Sequence, residues 1–554
     1  MILDARELPD GHSLTADICV VGAGAAGISL ALEFANTRFT VLILESGGLK
    51  PEKATQDLYS GTVVDERLHS LPDRYRQRRF GGTTTIWGGR CMPFDAIDFE
   101  ARDYVQNSGW PIALEALLSF YPKANQLCEA GTFDYTSTSA FNKPLRPMID
   151  GFRSQNFSTD TLERFSCPTD FGVRYRSRLE AAQNVRILLH ANVTSLDLDK
   201  DGQQLNSVTV TTMQGKRINV GARQFVLANG GLEVARLMLA SRSVHANGIG
   251  NHHDVLGRYY MCHIAGTVGA LTIRGPLDSV WNGYDISDEG VYCRRRIALN
   301  ATSQREYRTG NFVARLHHPR ITDPAHRNSI LSSLYLAKFL IPYEYGKRLH
   351  GDERADLSTW LKHIGNLSMG PFDAAKFAWH MLKDRRLADR KFPSIIIESK
   401  ANLYSIDFHA EQEPNPHSRV TLDQSVDALG MPRLQIDWRY SKTDVHTVAK
   451  SLELLTADIV QSGIGKLDYD PASLEYEMTR YGAYGGHHIG TARMGINSNS
   501  SVVDANCKVH GIDNLHIASA AVFTTSSQAN PTLTIIALTL RLAQRLKDTL
   551  LTTT

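Results

Sequence analysis

Short apolar runs bounded by glycine alternate with amphipathic stretches along this chain, a pattern that predicts alternating strands and helices. The first run, Ile18 to Val21, leads into "GAGAAG" and then an apolar helical stretch through Ala35. A second run, "FTVLILE", ends at Glu45. The stretches 184–199 and 207–239 are expected to form strands followed by a helix; the strand "FVLANGG" turns at glycine into that helix, which carries Arg236. Near the C-terminus "NLHIASAAV" reads as a short strand. The run "ANPTLTIIALTLRLAQRL" reads as a helix with Asn530 as N-cap and Pro531 at its first position. The most apolar stretches, 331–343 and 532–543, are short and each carries a charge, so no transmembrane segment is expected.

Composition narrows the classes. At 554 residues the chain exceeds one hydrophobic core, and two or more domains are expected. The net charge of +2, from 60 basic and 58 acidic side chains, argues against a nucleic-acid partner. Seven cysteines are dispersed without a C-x-x-C pair, which removes the usual zinc, dithiol and haem-attachment motifs; no metal is expected. That usage suits a reducing compartment. The first residues lack a basic leader, so the expected location is cytoplasmic.

The chemistry begins at the first strand. Gly22, Gly24 and Gly27 have G-x-G-x-x-G spacing between a strand and a helix, and Glu45 ends the next strand. This is the arrangement that places a pyrophosphate on a helix N-terminus and a ribose hydroxyl on an acid. It indicates a dinucleotide without choosing between FAD and NAD. The loop "RRFGGTTTIWGGR" (78–90) can wrap a cofactor through backbone N–H and hydroxyl groups. A helix beginning at Pro531, aimed at a flavin, would stabilise negative charge on the reduced ring. These later segments favour FAD.

The chain resembles the glucose–methanol–choline (GMC) oxidoreductases. The resemblance lies in "VVGAGAAG" (20–27) with Glu45, "FGGTTTIWGG" (80–89), "HHIGTARMG" (487–495) and "VVDANCKVHGIDNLHIASAAVFTTSSQANPTLT" (502–534), with a weaker match over 411–438. Within the family, "GGTTTIW" and "ANPTLT" look more like the pyranose oxidase and FAD-dependent sugar dehydrogenase branch. The resemblance implies an α/β protein: a Rossmann-like FAD-binding domain and a substrate domain with an antiparallel or mixed sheet and helices. It implies cofactor contacts at Gly22, Gly24, Ala25, Ala26, Gly27, Glu45, Gly81, Gly82, Thr83, Thr84, Val193, Ala520, Asn530, Pro531 and Thr532. The family's catalytic histidine stands two residues before the Gly-Thr step, here His487, and its partner is Asn530. Ile86 stands where pyranose oxidases carry a flavin-linking histidine, so non-covalent FAD is expected.

The implied reaction is oxidation of a C–OH group on a sugar, glycoside, cyclitol or related polyol, with oxygen, a quinone or a carrier protein as electron acceptor. A neutral histidine suits removal of the hydroxyl proton, and an amide can hold the developing alkoxide. The alternative is a GMC-fold lyase, or another flavoprotein without net redox turnover, which would use the same base. His488 is expected to support the loop. Asn530 has capping and catalysis competing for one side chain, and His263 is either a cavity residue or a packed one. Arg294 to Arg296 read as an exposed face. The FAD domain is expected over 1–110, 180–265 and 480–554, and the substrate domain over 111–179 and 266–479. The helices of 331–392 read as a cover over the substrate entrance, the competing reading being an amphipathic surface that touches a membrane or redox partner.

Overall fold

The computed structural model of the protein describes residues 1–338, 356–393, 396–397, 399, 401–480 and 484–552. Among these residues the strands form sheets of eight, nine and three members with helices packed against them, the α/β class expected.

The eight-stranded sheet runs in the order Ile2–Asp4, Val185–Leu189, Val41–Leu44, His12–Val21, Arg217–Leu227, Leu205–Thr211 and Asn192–Leu198. Leu515–Ile517 also pairs with Arg217–Leu227. Its centre is parallel: Ile18 to Val21 lies between Val41 to Leu44 and Gln224 to Leu227. Parallel strands need crossovers that cover both faces, which is why these segments are continuously apolar. Val41–Leu44 is buried throughout, and His12–Val21 is buried from Ile18 onward. Helix Ala25–Phe34 packs against the long C-terminal helix Thr532–Thr552.

The nine-stranded sheet is antiparallel, in the order Gly465–Asp468, Met261–Ile273, Leu403–Ala410, Phe312–His317, Tyr292–Leu299, Phe157–Phe165 and Arg90–Cys91. Tyr484–Ile489 joins it through Met261–Ile273, and Asp285–Ile286 through Tyr292–Leu299. Helix Lys442–Gln461 packs near Phe312–His317 and Leu403–Ala410, burying Val448, Leu452, Leu455 and Ile459 at helical spacing, with a Ser441/Asp444 capping box at its start.

Several segments pack across the expected division of the chain. Leu117, Tyr121, Ala124 and Leu127 belong to the core of the first sheet, where helix Tyr121–Leu127 meets the C-terminal helix. Helix Phe171–Ala181 packs on Ala25–Phe34 and straddles the expected 179/180 boundary. Conversely Arg90–Cys91, the start of Met261–Ile273, and Tyr484–Ile489 are strands of the second sheet. Arg294, Arg295 and Arg296 are not an exposed face. All three are buried, because the strand that carries them is interior to that sheet. Arg295 pairs with Asp285, and Arg296 donates to Gln528 and Thr161. Of the expected cover, 339–355 lies outside the described residues.

Candidate active site

A cavity of about 420 Å³ runs between the two large sheets. One end is built by the first strand and its turn. Gly22, Gly24, Ala25 and Ala26 line it with Glu45, and Ala191 and Val193 stand on the neighbouring segment. Gly24 caps helix Ala25–Phe34 and brings no side-chain cap, so the first-turn N–H groups keep their capacity for an anion. Both Glu45 oxygens are held by backbone: Oε2 accepts from Ala23 N at 3.0 Å and Oε1 from Gly47 N at 2.8 Å. A carboxylate retains acceptor capacity beyond two such bonds. Burial raises the Glu45 pKa. Arg76, Arg78 and Glu233 also line this end, and Glu233 is lowered to about 2 because Arg236, Arg76 and Arg78 outweigh its burial.

Gly82, Thr83 and Thr84 line the same cavity, as do Ala520, Asn530, Pro531 and Thr532. Two expected cofactor contacts do not. A Cβ on Gly27 would lie 2.0 Å from the Gly22 carbonyl oxygen, so Gly27 lets the helix close on its own turn. Gly81 has φ 93°, and a Cβ there would meet Asp170 and Gly172; it serves the loop's packing.

The Gly-Thr step fixes the two histidines. Gly490 N donates to Ala520 O, and Thr491 Oγ1 donates to Gly231 O at 2.6 Å, so strand Tyr484–Ile489 is held against both the C-terminal segment and helix Gly231–Ala240. Its pairing with Met261–Ile273 brings His263 to His487. The Ser526 carbonyl can only accept, so His263 Nε2, 3.2 Å away, carries the proton. His263 is buried and lowered to about 4, hence neutral, and its Nδ1 is an acceptor. His487 Nδ1, 2.8 Å from it, must then donate. This leaves His487 Nε2 with a bare lone pair, accepting from Asn530 Nδ2 at 3.3 Å. Burial, then His263 and Arg90, hold the His487 pKa well below the ordinary histidine value. Asn530 does not act as a side-chain cap: its Oδ1 has no partner while its amide faces His487.

His488 points the other way and also lines the cavity. The Ser70 carbonyl fixes the proton on His69 Nδ1, so with a neutral His69 the Tyr260 hydroxyl donates to His69 Nε2 and accepts from His488 Nδ1 at 2.6 Å. His488 Nε2 is thereby left bare and unpartnered. His69, Cys262 and His488 bring donor atoms within 4.8 Å of one another, the chemistry of a metal site, but the Tyr260 hydroxyl already bonds to all three.

The second sheet supplies a wall of Arg90, Phe165, Arg294, His317, Asp407 and His409, polar but for Phe165; the sequence reading singled out none of His317, Asp407 and His409. Asp407 and His409 stand two apart on one strand and so share a face. Arg315 is fully buried behind them, bonded to Glu163 and 3.5 Å from Asp407. Burial, then Arg315 and Arg90, hold His409 well below its ordinary pKa. His263 does not line the cavity; it stands behind His487.

The uncapped helix start, the orphaned buried Oδ1 atoms of Asn229 and Asn530, and the continuous path from Gly22 to His487 fit a flavin dinucleotide. Comparison with known proteins agrees. Residues 17–333 match the model of the FAD dependent oxidoreductases, and residues 414–539 match the GMC oxidoreductase C-terminal model. The chain is 22% identical to the fructose dehydrogenase large subunit of Gluconobacter japonicus, over 97% of this chain and 99% of that one. It is 23% identical to paromamine 6'-oxidase of Streptomyces fradiae, over 95% and 90%. The crystal structure of pyridoxine 4-oxidase from Mesorbium loti shares the fold, with TM-score 0.54 and 18% identity over 96% of this chain and 99% of that one. By its matched segments, its two-sheet fold and the cavity between the sheets, the chain belongs to the FAD-dependent oxidoreductases and carries a GMC oxidoreductase C-terminal domain over residues 414–539.

Proposed function

We propose that this protein oxidises a C–OH group of a sugar, glycoside, cyclitol or related polyol, with His487 as base and Asn530 as its partner. The observation that carries the reading is the relay Ser526–His263–His487, which presents a bare Nε2 beside the Asn530 amide. His487 Nε2 takes the hydroxyl proton. Asn530 Nδ2–H donates to the oxygen as it becomes an alkoxide, a contact that strengthens as charge develops. His263 keeps the His487 tautomer and ring orientation fixed. The polar wall of Arg90, Arg294, Asp407 and His409 offers donors and acceptors for the remaining hydroxyls. Bound FAD would supply the hydride acceptor; Gly22 to Ala26, Glu45, Thr83 and Pro531–Thr532 would hold it. Relatives named for fructose, paromamine and pyridoxine support a hydroxylated substrate.

We further propose that FAD is bound non-covalently, since Ile86 lines the cavity and offers no linking atom. Acid precipitation should release the yellow colour to the supernatant; colour kept in the pellet refutes this. The function itself is tested by an anaerobic screen of sugars, glycosides, cyclitols and simple alcohols. A substrate bleaches the flavin, and reoxidation with oxygen, a quinone or a carrier protein then identifies the acceptor. A flavin that no hydroxyl compound bleaches, together with lyase turnover, would replace the redox reading with the non-redox one.

A further inference from the structure

Helix Leu357–Met369 is packed inside out. Its buried side chains are His363 and Asn366. His363 Nδ1 bonds Ser332 Oγ at 3.0 Å and its ring stacks on Tyr335, while Asn366 Nδ2 donates to Pro324 O. The opposite face carries Leu357, Leu361 and Ile364 at i, i+4 and i+7, respectively 75%, 58% and 50% exposed. A helix of a water-soluble surface does the reverse. The next helix, Pro371–His380, buries nothing and presents Phe372 and Trp379, seven residues apart, at 88% and 63% exposure. Both helices pack on Ser329–Leu336 and touch each other, so the two apolar rows are carried by neighbouring helices. Isolated exposed apolar residues are ordinary, but a contiguous row of large ones marks an interaction face.

Charge selects the occupant. Lys362, Lys376, Lys383, Arg386 and Lys391, on these helices and the segment that follows them, are exposed, and Lys376 stands between Phe372 and Trp379 at i+4. Residues 356–392 hold seven basic and four acidic side chains, a net +3, against +2 for the whole chain; the remainder is therefore net −1. Two copies meeting through this face would oppose like charges, which disfavours a dimer. At 13 and 10 residues the helices are too short to cross a bilayer, and among the described residues no helix is long and apolar enough to do so.

We propose that residues 357–391 form a docking surface for an anionic lipid bilayer. The helices lie in the interface, with Leu361, Ile364, Phe372 and Trp379 among the acyl chains and the lysines at the headgroups. The face is tied to the cavity. Arg385 Nη1 donates to the carbonyls of Phe392 and Pro393, the His380 ring packs on Phe392 at 4.8 Å, and Pro393 lines the cavity. Docking thus sets one wall of the cavity at the lipid surface.

The test is co-sedimentation of the flavin-loaded protein with phosphatidylcholine vesicles, with and without phosphatidylglycerol. Binding should require the anionic lipid and weaken as salt rises. Phe372→Ser with Trp379→Ser should reduce bound protein at least about tenfold, and Lys376→Glu with Lys383→Glu likewise. Retained flavin absorbance and an unchanged melting temperature show that these variants fold. Trp379 fluorescence should shift to the blue on binding, a signal lost in Trp379→Phe. Two results overturn the proposal: no binding of folded protein to anionic vesicles at low salt, or lipid-free self-association that the same substitutions abolish.

Discussion

At the residue scale the two adjacent histidines have the same tautomer for different reasons. His487 receives it from His263 and Ser526, His488 from Tyr260, His69 and Ser70. Each leaves a bare Nε2, but only that of His487 meets the Asn530 amide. His487→Ala should therefore keep its flavin and lose at least about 10²-fold in the rate of flavin reduction by substrate. His488→Ala should retain most of that rate and hold flavin less tightly, because His488 lines the cofactor cavity without meeting Asn530. Rapid anaerobic mixing and the flavin-to-protein ratio separate the two effects. Were His488→Ala to slow reduction more than His487→Ala, the base would have been placed one residue away from where it acts.

At the element scale, legibility followed locality. The strand–turn–helix at Ile18 to Phe34 and the C-terminal helix could be read because their signals lie within a few neighbouring residues. His263 could not be assigned, since it meets His487 only through pairing of strands more than two hundred residues apart. The arginines 294–296 misled for a related reason. A basic run looks solvated until the sheet around it supplies Asp285 and Thr161 and the C-terminal segment supplies Gln528. Asn530 could not be resolved between cap and partner because both use one amide. Within the first turn, two glycines now have distinct work. Gly27→Ala drives a methyl into the Gly22 carbonyl and should cost about 1–3 kcal/mol in flavin-stripped protein. Gly24→Ala meets no protein atom within 4 Å and should leave that stability intact while weakening FAD binding, since Gly24 lines the cavity. Thermal melts with flavin titrations check the pair. Equal melting losses in both would show that Gly24 is structural too.

At the scale of the whole molecule, the buried titratable groups make opposing demands on pH. His263 and His516 are lowered to about 4 by burial, and His409, His487 and His488 lie well below their ordinary value. Once unfolded, these five take up protons below about 6.5 that the folded protein refuses. The unfolded state then binds more protons, so stability is present above that value and is lost as pH falls through it. Asp98 and Asp444 act in the opposite sense. Burial raises Asp98 to about 8 and Asp444 to about 7, above their unfolded values, so their contribution is lost as pH rises through 7 and 8. Above about 6.5 the histidines contribute no slope and the raised carboxyls, Glu45 and Asp285 among them, decide it; below, the lowered histidines, His245, His326 and His363 among them, outnumber the raised carboxyls. The melting temperature of the flavin-loaded protein should accordingly peak near pH 6.5, fall gently on the alkaline side and fall more steeply on the acid side. Thermal unfolding followed by flavin fluorescence across this range measures it. A melting temperature that kept rising as the solution was acidified past the ordinary histidine pKa would mean that these rings are charged in the folded protein. The neutral relay from Ser526 through His263 to His487 would then be lost as well.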